Sequence, residues 1–160
     1  MRLVFSRVWR QLPVALAAAL IAGCDGDGEG LAVGVTPDAN VSGTWSYSAT
    51  NVTGGGLTCR IDGVRLELEQ TGNRFNGIYT GGALICAETV GVRVIPLGPG
   101  VVTDGRVQGA NVTFDFDGPY FRNTGVVDGL GMSGTLVVRA DLGDPIGVVT
   151  VAGNFSAMRQ

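Results

Sequence analysis

Cysteine thiols and carboxylates are the groups in this 160-residue chain with chemistry to offer, because it has no histidine and its eleven basic residues are all arginine. Without histidine no Ser-His-Asp or Cys-His relay can be assembled, and without lysine there is no amine for a Schiff base. No Gly-x-Ser-x-Gly elbow and no cluster of metal ligands occurs. Asp115 and Asp117 sit two apart beside Phe114 and Phe116. Such a carboxylate pair can work on a glycosidic bond, but the alternation places both acids on the solvated side of a strand. The chain is therefore expected to be no enzyme and to need neither metal nor other cofactor. Of its three cysteines, Cys59 and Cys86 form an even pair suited to a disulfide, which at that loop length contributes about 3–4 kcal/mol.

Cys24 has a different setting. Arg2, Arg7 and Arg10 precede an apolar run from Leu12 to Ala22, about 11 residues long, which closes on Ile21-Ala22-Gly23-Cys24. A spanning helix needs roughly 20 apolar residues, so the run fits a cleaved export signal. Small residues directly before a cysteine at this point resemble the processing site of bacterial lipoproteins. The resemblance implies a signal peptide over 1–23, a diacylglycerol thioether on Cys24, and a chain held to a membrane of the bacterial cell envelope by that lipid. Several acyl chains, at about 0.8 kcal/mol per buried methylene, make such an anchor stable. Residues 24–39 begin Asp25-Gly26-Asp27-Gly28-Glu29-Gly30. They lack the twelfth-position glutamate of a calcium loop, since Thr36 stands there, and read as an acidic, glycine-rich tether.

From Cys24 onward the chain carries eight arginines against fourteen acids, a net charge of −6, so nucleic acid is not an expected partner. Glycine supplies 27 residues, about one in six, which suits many tight turns between short strands.

After the tether the apolar pattern has period two. Val41, Trp45, Tyr47 and Ala49 share one face, as do Val64, Leu66 and Leu68. Thr71-Gly72-Asn73 and Gly81-Gly82 read as turns. Further strands are expected at Phe75–Tyr79, Ala83–Ala87, Val101–Val107, Val112–Phe116, Thr124–Val127, Met132–Arg139 and Gly147–Met158, with a loop at Pro96–Gly100. The stretch beginning at Gly105 echoes the one beginning at Gly125, one hairpin later. A glycine two residues before a large apolar side chain recurs at Gly43/Trp45, Gly77/Tyr79, Gly134/Leu136 and Gly153/Phe155, where a strand can bend or a ring can lie on bare backbone. The fold expected over 40–160 is all-β, a single up-and-down antiparallel barrel of about eight strands, with a β-sandwich as the alternative. With both glycine turns tight, counting sets Cys86 level with Gly77 and Glu67, too far from Cys59 to bond. The cysteine pairing takes precedence, so a bulge, a longer loop or a wrong turn must intervene.

Ser42-Gly43-Thr44-Trp45 at the start of the first strand, with Arg159 at the end of the last, resembles the calycin superfamily of lipocalins, fatty-acid-binding proteins and avidins. The resemblance spans roughly Val41 to Arg159. It implies barrel closure by Arg159 packed across Trp45, a cation–π contact of about 0.5–2 kcal/mol. It also implies a small apolar ligand inside the barrel, for which Tyr47, Tyr79, Phe114, Phe116 and Phe155 are the candidate lining. Trp45 is the sole tryptophan after the signal, and no asparagine follows it as in avidins, so biotin is not the expected ligand. The leading expectation is non-catalytic binding of a small apolar molecule by a lipid-anchored barrel. The alternative is an envelope protein or glycan interaction module with a solid core, using Thr50–Leu57 or Pro96–Gly100; the sequence names no protein partner.

Overall fold

The protein is described by a computed structural model at residues 37–88, 91–117, 120–143 and 146–160. Cys24, the segment 1–23 and nearly all of the tether lie outside the described residues. Within them the chain is all-β: β1 (Gly43–Gly54), β2 (Leu57–Thr71), β3 (Arg74–Glu88), β4 (Gly91–Pro96), β5 (Gly100–Gln108), β6 (Asn111–Phe116), β7 (Tyr120–Asp128), β8 (Gly131–Asp141) and β9 (Val148–Arg159). Strands β1, β2, β3, β5, β6, β7, β8 and β9 pair antiparallel in that order, and β9 returns to β1, closing an eight-stranded up-and-down barrel. The fourth strand is extra. It pairs with the far half of β3 (Ala83–Glu88), whereas the near half (Arg74–Tyr79) pairs with β5.

Two-residue turns join four of the hairpins, at Gly55-Gly56, Gly72-Asn73, Gly109-Ala110 and Gly129-Leu130. The echo between the stretches at Gly105 and Gly125 thus corresponds to successive hairpins turning at the same end of the barrel. Gly81-Gly82 is not a turn. The two glycines lie inside a 15-residue strand, opposite Gly63 and Val64 of an equally long β2. Gly63, at φ 73°, adds one residue to β2 and shifts its register with β1. Consequently Ile61 and Val64, three apart, both face the interior. Gly82 answers it from β3, where a Cβ would fall 2.4 Å from Val64 Cγ2. With the false turn removed, Cys59 and Cys86 stand directly opposite each other, Cα to Cα 4.0 Å, joined as a buried disulfide. A further difference is β4, a strand between Ala87 and the Pro96–Gly100 loop where the alternation predicts none.

The chain enters the barrel at the mouth that carries the Gly72, Gly109 and Gly129 turns and straps across it. Ala39 N–H donates to the Gly109 carbonyl and Asp38 Oδ1 accepts from Gly109 N–H, both at 2.7 Å. Val41 N–H donates to Gln70 Oε1 at 2.7 Å, and its side chain is wholly buried as a plug. Trp45 Nε1 donates to the Val41 carbonyl at 2.9 Å. Arg159, paired with Trp45 across the β1–β9 seam, holds its guanidinium 4.7 Å from the indole centroid and donates to the carbonyls of Ser42 and Asn40. One side chain thus joins the last strand, the first strand and the strap. Arg159→Ala is expected to remove about 2–4 kcal/mol of stability, the ring contact plus charge-assisted bonds, read as a lower midpoint in chemical denaturation.

Candidate functional site

The expected ligand-lining rings come from four strands: Tyr47 from β1, Tyr79 from β3, Phe114 and Phe116 from β6, and Phe155 from β9. Alternation points each one inward, and the structure brings all five together. Tyr47 stacks on Phe155 at 5.5 Å between centroids and meets Phe116 edge-on at 5.3 Å. Tyr79 stacks on Phe116 at 4.8 Å, and Phe114 lies 5.7 Å from Phe116 and 5.8 Å from Phe155. Phe75 and Phe121 extend the cluster, at 5.9 Å from Phe114 and 5.7 Å from Phe116 respectively. These separations are those of directly packed aromatic pairs. All seven side chains are buried, and the rings occupy the middle of the barrel.

Room for two of the rings comes from β5. A Cβ on Gly100 would sit 2.4 Å from the Tyr79 ring, and one on Gly105 would sit 2.6 Å from the Phe75 ring. Rings do lie on bare backbone, but across a strand pair and at other glycines than those picked out by their spacing from a large residue. At Gly77, Gly134 and Gly153 the close neighbour is the backbone of an adjacent strand.

One polar side chain sits among the rings. Asn123 of β7 is fully buried, accepts a 2.8 Å hydrogen bond from the Tyr47 hydroxyl and donates to the Phe114 carbonyl at 3.4 Å. Sequence reasoning missed this partner because Asn123 interrupts an apolar alternation and lies 76 residues from Tyr47. Tyr79 donates to the Asp117 carbonyl at 2.6 Å. Burial pushes both hydroxyls above the ordinary tyrosine value, with the Asp117 carboxylate adding to the shift at Tyr79.

The two acids considered for acid–base work are not a strand-face pair. Asp115, on the outer face of β6, is joined to Arg122 of β7 at 3.3 Å, while Asp117 falls past the strand end. Of the two candidate loops, Thr50–Leu57 is mostly strand, only Gly55 and Gly56 forming the turn. In Pro96–Gly100, Leu97 is buried. Grooves do open on the outer wall. One, of about 610 Å³, crosses β1, β2, β3 and β5 between Glu67, Glu69, Ile78 and Val101. Among the described residues no group of three or more histidine, cysteine, aspartate or glutamate side chains could hold a metal ion.

No protein-family model matches this chain, and searches of curated proteins and of solved structures return no match.

The buried tyrosines generate a pH dependence. A folded-state value raised above the unfolded one, about 10, means that the stability is intact below pH 10 and is lost as pH rises beyond it, because unfolding then releases the proton. The expected slope approaches about 1.4 kcal/mol per pH unit for Tyr47, the deeply buried one, with Tyr79 acting in the same direction. Tyr47→Phe should remove one tyrosine's share of that slope. At neutral pH it should cost about 1–3 kcal/mol, since Asn123 Oδ1 loses its buried donor. Denaturant melts of both proteins between pH 7 and 11 check the two effects together.

Proposed function

We propose that this is a non-catalytic, lipid-anchored module of the bacterial cell envelope, which acts by presenting the outer surface of a solid barrel to another macromolecule. The observation that supports this reading is the interior: seven rings pack in one connected cluster among the side chains that a carrier would need for lining its ligand. Admitting one would mean separating stacked pairs and opening the Tyr47–Asn123 bond, with nothing yet gained in return. The anchor rests on the Ile21-Ala22-Gly23-Cys24 pattern, and the disulfide suits an oxidising compartment such as the periplasm.

Two measurements test the reading. Native mass spectrometry of the Cys24→Ser protein, exported to a periplasm and purified without detergent, should give the mass of the processed chain less two hydrogens for the disulfide. A co-purifying mass would instead establish a carried ligand. Radiolabelled palmitate fed to cells should enter the wild-type chain and not Cys24→Ser; equal labelling of both would remove the anchor.

A further inference from the structure

In a barrel whose other strands are paired on both sides, β4 stands out: among the described residues it pairs with β3 alone. The register says which groups its second edge presents. Leu97 N–H donates to the Gly82 carbonyl at 3.1 Å, which makes Ala83/Pro96 a pair without mutual hydrogen bonds. Alternation then gives Leu84/Ile95 and Cys86/Arg93 as bonded pairs, and Ile85/Val94 and Ala87/Val92 as non-bonded ones. The N–H and C=O groups of Val92 and Val94 therefore point away from β3, along the open edge. Their side chains lie on the outer face, 67% and 57% exposed, continuous with Ile85 and Ala87. An unblocked edge with apolar, β-branched residues is what proteins ordinarily avoid leaving open, and is the template used in strand addition.

Two further features narrow the occupant. The outer face of β4 carries no charged side chain: Arg93, the sole charged residue of the strand, lies on the face opposite Val92 and Val94 and is hydrogen-bonded to the Leu142 carbonyl in the β8–β9 connection. Position is the second. The fourth strand lies on the half of β3 remote from the Gly72 turn, at the mouth opposite the one where Asp38 meets Gly109. Antiparallel self-pairing through β4 turns the second barrel end for end, so that one of two copies on the same membrane would have to draw its tether back along the barrel wall, which an extended segment of another protein does not require.

We propose that the open edge of β4 takes up an extended segment of another protein, uncharged and with β-branched or apolar residues on the face beside Val92 and Val94, by strand addition on the side of the barrel away from the membrane. The inference rests on the reading of the chain as a lipid-anchored interaction module and names the surface that module uses.

The test is amide hydrogen exchange and chemical-shift mapping by NMR on the Cys24→Ser protein, with a capped peptide of alternating valine and threonine added to millimolar concentration. The Val92 and Val94 amides, which face away from β3 and have no strand partner among the described residues, should slow about tenfold or more on gaining one. Val94→Pro removes an outward N–H without touching the β3 ladder, a substitution edge strands tolerate, and should abolish the effect. Val94→Thr keeps both the N–H and the branching and should retain it, so a loss in both variants overturns the proposal. Unchanged exchange at Val92 and Val94, or shifts centred on the groove between Glu67 and Val101, also overturns it. Protection that rises with protein concentration in the absence of peptide overturns it in favour of a second copy. If native mass spectrometry finds an interior ligand while the peptide still protects the edge, the solid-core reading fails and the edge stands; the reverse result separates them the other way.

Discussion

Closing a sheet into a barrel requires its first and last strands to meet, and here one cation at the end of that seam ties it to the segment that crosses the mouth. The Arg159 guanidinium lies flat enough on Trp45 for a face contact while its two terminal nitrogens donate to carbonyls of the segment that has not yet entered the sheet. Its Nε is buried with no hydrogen-bond partner among the described residues, the guanidinium being directed to the ring and the two carbonyls. The position of the cation follows from register: Trp45 and Arg159 are cross-strand partners, so a slip of the seam would separate them. Strap, plug and seam are one assembly.

Above that seam the interior is a problem of volume. Eight strands enclose a space just wide enough for side chains to fill. The chain meets this with large residues set against glycine on neighbouring strands: Leu68 between Gly43 and Gly77, Phe155 opposite Gly134, Leu136 opposite Gly153. Where β5 passes under Phe75 and Tyr79 it has glycine at both points of contact. The polar pair Tyr47–Asn123 then fixes which way the cluster packs, because a buried hydroxyl and amide have few arrangements that satisfy both.

Much of this was legible in the residues. Period-two alternation identified the inward faces of β1 and β2 and the rings that meet inside, because one face of each strand is dry and the other wet. The Trp45–Arg159 pairing was reachable only through a family resemblance, since nothing local to either residue points across more than a hundred positions. Gly81-Gly82 misled because a glycine pair with positive φ marks a hairpin turn and a two-sided bulge equally well; the distinction lies in Gly63 on the partner strand. The cysteines carried the correct register, a covalent constraint outranking a local propensity. Asn123 hid the first half of β7 by breaking its alternation. The edge strand β4 escaped notice because both of its faces are partly exposed, which leaves no contrast of period two to read.

The strap has a mechanical consequence. A pull on the chain at Asp38 does not peel β1 from the sheet one bond at a time. It is received at once by the β5–β6 turn through Gly109, by β2 through Gln70 and by β9 through Arg159. These attachments lie on one turn and two strands around one rim, so the load is spread over three parts of the barrel before β1 itself is pulled. The barrel is thereby built to carry load from its N-terminal side, with the first strand shielded from force by its neighbours.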